Sequence, residues 1–102
     1  MIISFDFDNT LSTKKMQNIA KMFIKNGHDV YITTRRYRIT PFYNNSIVYD
    51  TAENVGIPLN KIRFTDGNYK YTFLNEFDIH FDDEVKEIDL INNYTNCVGI
   101  LV

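Results

Sequence analysis

Two aspartates, Asp6 and Asp8, close an apolar run at the start of the chain (IISFDFDNT), and a second pair, Asp82 and Asp83, closes another (IHFDD). Between them lie Thr33, Thr34 and Arg35 at the end of DVYITTR, and Lys70 just after the turn residues Asp66-Gly67-Asn68. If Ile2–Phe7 is a strand, alternation points Asp6 and Asp8 the same way and crowds their charges. Such crowding is tolerable where a cation belongs among the carboxylates. Mg²⁺ fits: it prefers oxygen ligands, takes one or two carboxylates, and keeps the rest of its shell for water and phosphate. Asp6 with Asp82 or Asp83 supplies those carboxylates. A lysine and a threonine can hold the other oxygens of a phosphoryl group, where charge spreads in the transition state. One carboxylate can attack phosphorus, while a second protonates the leaving oxygen and later activates water.

The elements that must position these residues alternate along all 102 positions. Strand-like runs are Ile2–Phe7, Asp29–Thr33, Lys61–Thr65, Asp78–Phe81 and Cys97–Val102. Between them fall four helical patterns. The first is capped by Ser12 or Thr13 and carries Met16, Ile19, Ala20, Phe23 and Ile24; Gly27 closes it. The others span Ser46–Val55, stopped by Gly56 and Pro58, then Lys70–Phe77, and a last one marked by Val85, Ile88 and Ile91. Strict alternation predicts one α/β domain over residues 1–102, a Rossmann-like, doubly wound, five-stranded parallel sheet in three layers. Ligands of such sheets bind beyond the carboxyl ends of the strands. Asp6, Asp8, Thr33, Lys70, Asp82 and Asp83 all fall at that rim, whereas Lys61 starts its strand and belongs to the opposite one.

FDFDNTL resembles the first motif of the haloacid dehalogenase superfamily of aspartate-nucleophile phosphohydrolases, hydrophobic residues followed by D-x-D-x-T. VYITTR, Lys70 and HFDD are similar to its second, third and fourth motifs, in order and over nearly the whole chain. The resemblance implies that Asp6 is the nucleophile and that Asp8 is the general acid/base, its backbone carbonyl also meeting Mg²⁺. Thr33 and Lys70 bind the phosphoryl group, and Thr10 supports the first-motif loop. Asp82 and Asp83 hold the metal or orient its waters; which of them touches it directly stays open. Thr34 and Arg35 are further candidates for substrate contact, since Thr-x-Arg is similar to the second motif of the superfamily's nucleotide and polynucleotide phosphatases. Only Asn9–Thr13 separates Asp8 from the first helix, and no surplus domain interrupts residues 36–69. The chain therefore resembles a capless member, whose open site suits a large phosphorylated substrate or closure by a second, identical subunit.

Composition narrows the partners. A net charge of −2 argues against a general nucleic-acid coat but leaves room for a local basic patch. Arg35, Arg36 and Arg38 with Tyr37, Phe42 and Tyr43 form such a patch, read here as a solvated loop with its aromatics tucked into the core and Arg35 alone at the site. The substrate classes are a nucleotide, a nucleic-acid end or a phosphoprotein, with the basic-aromatic loop favouring the first two. The single cysteine, Cys97, sits in an apolar run and reads as a packing residue. With no signal-peptide pattern and no membrane-length apolar run, a cytoplasmic location is expected. Each polar feature also has a plain explanation. Paired acids suit a helix N-terminus, Asp8 and Asp66-Gly67 suit turns, and His80 suits a hydrogen-bonded core position. Two rival functions follow: an inactive scaffold that keeps the fold, and a phospho-accepting receiver. The receiver places its accepting Asp after the third strand, and the order here disagrees.

Overall fold

The computed structural model describes residues 1–102, and its strands are β1 (Ile2–Phe5), β2 (Asp29–Thr34), β3 (Ile62–Phe64), β4 (Ile79–Asp82) and β5 (Val98–Leu101). All pair in parallel, in the order β3-β2-β1-β4-β5. The expected α/β class and five-stranded parallel sheet are both present. Because β1 lies between β2 and β4, the winding reverses direction beside it, and the crevice between the ends of β1 and β4 is where such sheets open.

Helices α1 (Lys14–Lys25) and α2 (Ser46–Val55) cover one face, and α3 (Val85–Tyr94) covers the other. Thr13 caps α1, its hydroxyl accepting from the Met16 N–H. Gly56, at φ 98°, ends α2 in a left-handed turn that side-chain-bearing residues rarely adopt. No helix is long and apolar enough to cross a membrane.

The expected helix over Lys70–Phe77 is absent. A 3₁₀ turn, Lys70–Phe73, stands in its place. Its Tyr-Thr-Phe run has poor helix propensity, and only eight residues separate Lys70 from the start of β4. Leu74 and Phe77 are buried as the pattern implied, but Phe73 faces solvent. The fold thus has three helices rather than four, and a loop with one tight turn shares the second face with α3.

Strand alternation makes the two faces chemically unlike. Ile3 and Phe5 of β1 and Val30 and Ile32 of β2 join Met16, Ala20, Val48 and Ala52 in a fifteen-residue apolar core. The opposite face has a small apolar cluster of Leu74, Phe77, Ile91 and Cys97. Burial pushes the Cys97 thiol up to about 11, as suits a packing residue. Towards the strands' carboxyl ends that second face turns polar: Ser4, Asp6, Thr33, Lys70, His80, Asp82 and Glu87 are all buried. At the sheet's edge, the Asn92 side chain of α3 donates to the Gly99 carbonyl and accepts from its N–H. One amide group thereby occupies both outward backbone groups of Gly99.

Candidate active site

β1 ends at Phe5, one residue before the first acid. The Asp6 N–H still donates to the Phe81 carbonyl, so Asp6 is fixed at the end of the ladder between β1 and β4. The chain then makes one wide turn, Phe7–Leu11, in which Leu11 N–H donates to the Asp6 carbonyl and Ser12 N–H to that of Phe7. Within it Asn9 sits at φ 59°, in the left-handed region that asparagine tolerates better than most side chains. Phe7 folds back into the core and Asp8 is thrown outward.

The expected crowding of Asp6 and Asp8 therefore does not occur. Asp6 is buried, while the Asp8 side chain is 53% exposed and is gripped by Arg36, whose Nε and Nη2 donate to its two oxygens at 2.9 and 2.7 Å. Asp6 is crowded by other acids. Lys70 Nζ donates to Asp6 Oδ1 at 2.7 Å and to Asp82 Oδ2 at 2.5 Å. His80 Nε2 lies 2.8 Å from Asp82 Oδ2, and Thr10 donates to Asp6 Oδ2 at 3.2 Å and to Asp83 at 3.5 Å. From α3, Glu87 accepts the Lys70 backbone N–H, and its second oxygen, which has no hydrogen-bond partner, lies 3.8 Å from Lys70 Nζ.

Three carboxylates thus surround one ammonium. Burial pushes the Asp6 carboxyl up to about 7, against the pull of Lys70 and with help from the charge on Asp82. Asp82 is also penalised by burial, but the His80 hydrogen bond and the Lys70 charge outweigh that and hold it below its ordinary value. Burial opposes the charge on Lys70, yet Asp6 and Asp82 together raise its pKa. Buried His80 is held neutral, its pKa lowered by desolvation. Burial likewise raises Glu87.

One oxygen each from Asp6, Asp82 and Asp83 lies within 4.8 Å of the others. Donor type and charge suit a hard divalent cation: all three ligands are carboxylate oxygens, and a single lysine leaves the group short of positive charge. The Asp8 carboxylate is not part of this trio.

An open cleft of about 300 Å³ is lined by Asp6 and Asp83 of the trio but not by fully buried Asp82, and no apolar residue lines it. Asp6, Asp8, Lys70 and Asp83 line it as expected, with Asn9, Thr34, Arg35, Arg36, Gly67 and Glu84. Thr33 does not. Its hydroxyl accepts from Ser4 Oγ at 2.7 Å, and both residues are fully buried. β2 runs one residue further than expected, and the next side chain, Thr34, stands at the cleft, where its hydroxyl accepts from the Arg36 N–H. Arg35 is placed by two hydrogen bonds to the Gly67 carbonyl and by the Tyr69 ring 4.6 Å beneath its guanidinium.

Two site residues escaped the sequence reading. The polar run around Arg36 reads as a solvated loop, yet the Arg36 guanidinium lies in the cleft near the rings of Phe7 and Tyr43. Glu87 went unnoticed because Val85 was counted on the inner stripe of α3, although Val85 is exposed. The inner positions are 87, 88 and 91, and an acid four residues before buried Ile91 was the available signal. The basic-aromatic loop is also corrected, since Phe42 is 90% exposed and is not tucked into the core. Lys61 pairs with Asp29 at the start of β2, on the opposite rim. No protein-family model matches this chain, and a search of curated proteins finds no match.

Proposed function

We propose that this protein is a Mg²⁺-dependent phosphomonoester phosphatase of the haloacid dehalogenase type, working through an aspartyl-phosphate on Asp6. The observation that carries the reading is the Lys70 ammonium held between Asp6 and Asp82 at the floor of a polar cleft, with Asp83 beside them. Asp6, Asp82 and Asp83 would hold the ion, which supplies the charge that draws a phosphate towards carboxylates otherwise repelling it.

The chain's own residues do the rest. Lys70 and Thr10 fix the two oxygens of Asp6 in orientation, and Asp6 loses its proton to solvent in the cleft before it attacks. Its carboxylate forms a bond to phosphorus as the ester P–O bond breaks, and Asp8, once it has taken a proton from solvent, gives that proton to the leaving oxygen. Water then adds to phosphorus, passing its proton to Asp8, and the bond to Asp6 breaks to release inorganic phosphate. Asp8 must part from Arg36 to do this. An incoming phosphate competes for that guanidinium, so substrate binding itself frees the acid.

The same Asp8–Arg36 pair favours one other reading, a phosphate-binding protein without turnover. Hydrolysis of an aryl phosphate separates the two. Turnover that needs Mg²⁺, stops in excess chelator, and leaves a hydroxylamine-labile phosphoryl label on the wild type but not on Asp6→Asn is the expected result. Binding of phosphate with no turnover at any metal concentration would leave the second reading in place.

A further inference from the structure

The Arg35 side chain lines two hollows at once. One is the polar cleft; the other is an adjoining shelf of about 380 Å³ lined mostly by apolar and aromatic residues of the segment between β2 and α2. Ile39 and Phe42 stand on this shelf 89% and 90% exposed. The segment bearing them is held in shape. Asn45 Nδ2 donates to the carbonyls of Tyr37 and Arg38, and the Tyr37 N–H donates to the Tyr43 hydroxyl at 2.8 Å. Tyr37 lies so close to Gly67 that a Cβ there would meet its hydroxyl at 2.7 Å. A fixed segment that presents a phenyl ring and a branched aliphatic side chain to water, next to an anion site, is a platform for a flat apolar group.

We propose that this shelf takes the base of a nucleoside monophosphate whose phosphate enters the cleft. The inference rests on the phosphatase reading for the position of the phosphate and adds the substrate class. The order of surfaces decides between candidates. Phosphotyrosine carries its ring directly on the phosphate oxygen and would press it against a cleft with no apolar wall. A nucleotide places a hydroxylated sugar between phosphate and base, and the path from Lys70 past Thr34 and Arg35 to Phe42 is polar and then apolar in that order. Base–aromatic stacking is also tolerant of which base is present, as a shelf without a deep pocket requires.

The test is calorimetric titration of the Asp6→Asn protein in Mg²⁺ with adenosine 5′-monophosphate, ribose 5-phosphate and phosphotyrosine. The nucleotide should bind about tenfold more tightly than ribose 5-phosphate. Ile39→Ala with Phe42→Ala should bring that ratio close to one, and Phe42→Trp should keep it. Both exposed positions tolerate substitution without unfolding, and circular dichroism checks this. Equal binding of nucleotide and sugar phosphate, stronger binding of phosphotyrosine, binding of neither phosphate, or a preference that survives the double alanine change would each overturn the assignment. Because turnover plays no part, a wild type that hydrolyses phosphates without base preference sinks only this inference. A wild type that binds the nucleotide and hydrolyses nothing sinks only the phosphatase reading.

Discussion

Asp6 carries the largest tension at the scale of single residues. Its carboxyl is raised from 3.8 to about 7, so in the metal-free protein its contribution to stability is complete below about pH 4 and disappears as pH rises through 7. Neutral, buried His80 runs the other way below pH 6.5, because protonation favours the unfolded chain, and a bare pH profile would mix the two. Comparison with Asp6→Asn isolates the first. Asparagine has no charge to bury, so the metal-free variant should gain on the wild type by roughly 2–4 kcal/mol between pH 5 and pH 8 in urea melts. Mg²⁺ should stabilise the wild type more at pH 8 than at pH 6, since a proton on Asp6 competes with the ion. A gap that stays constant with pH would show that Asp6 is already ionised. Arg36 makes a second residue-scale case. Its pair with Asp8 is half-exposed on the acid's side, but the arginine side chain is mostly covered and lies near the Phe7 and Tyr43 rings, so Arg36→Ala should cost about 1–2 kcal/mol of stability. The same change removes a charged donor from the cleft and should lower kcat/KM on a small aryl phosphate roughly tenfold or more. Arg38 lies over Phe64 with no acid partner and outside the cleft, and Arg38→Ala should leave that activity near wild type. Equal losses in the two variants would mean that the whole loop, and not Arg36 alone, supports the site.

At the scale of elements, position along a strand matters more than residue type. The sequence reading placed every strand and both acid pairs at the correct rim because alternation, glycine stops and β-branched runs are local signals. It chose Thr33 over Thr34 because a one-residue error in where a strand ends moves a side chain to the other face. It extended the Lys70–Phe77 helix because three apolar residues fit a helical stripe, although tertiary packing needed only Leu74 and Phe77. Side-chain partners were beyond its reach. Nothing local tells Arg36 that Asp8, twenty-eight positions earlier, will meet it. Edge strand β5 gives an element-scale prediction. Its exposed Val98 and Leu101 stand on an edge open to further strands, and Asn92 blocks it at Gly99. Asn92→Ala should leave the helix formed while shifting sedimentation towards dimers at high concentration. A variant that sediments as the wild type does would show that the cap is not what keeps the edge closed.

Across the whole molecule, the apolar core and the polar site lie on opposite faces of one sheet. None of the fifteen core residues is Asp6, Lys70, Asp82, Asp83 or Glu87. Removing these charges singly strands a buried partner without compensation, whereas replacing them together with apolar side chains strands none. The face that holds most of the apolar core can therefore stay constant while the face that carries the polar cluster varies. For a lineage of such chains, a new set of polar groups at the cleft is a short mutational walk across a few rim positions. Begun at exposed cleft residues such as Asp8 and Glu84 rather than at the buried charges, it avoids sequences that no longer fold.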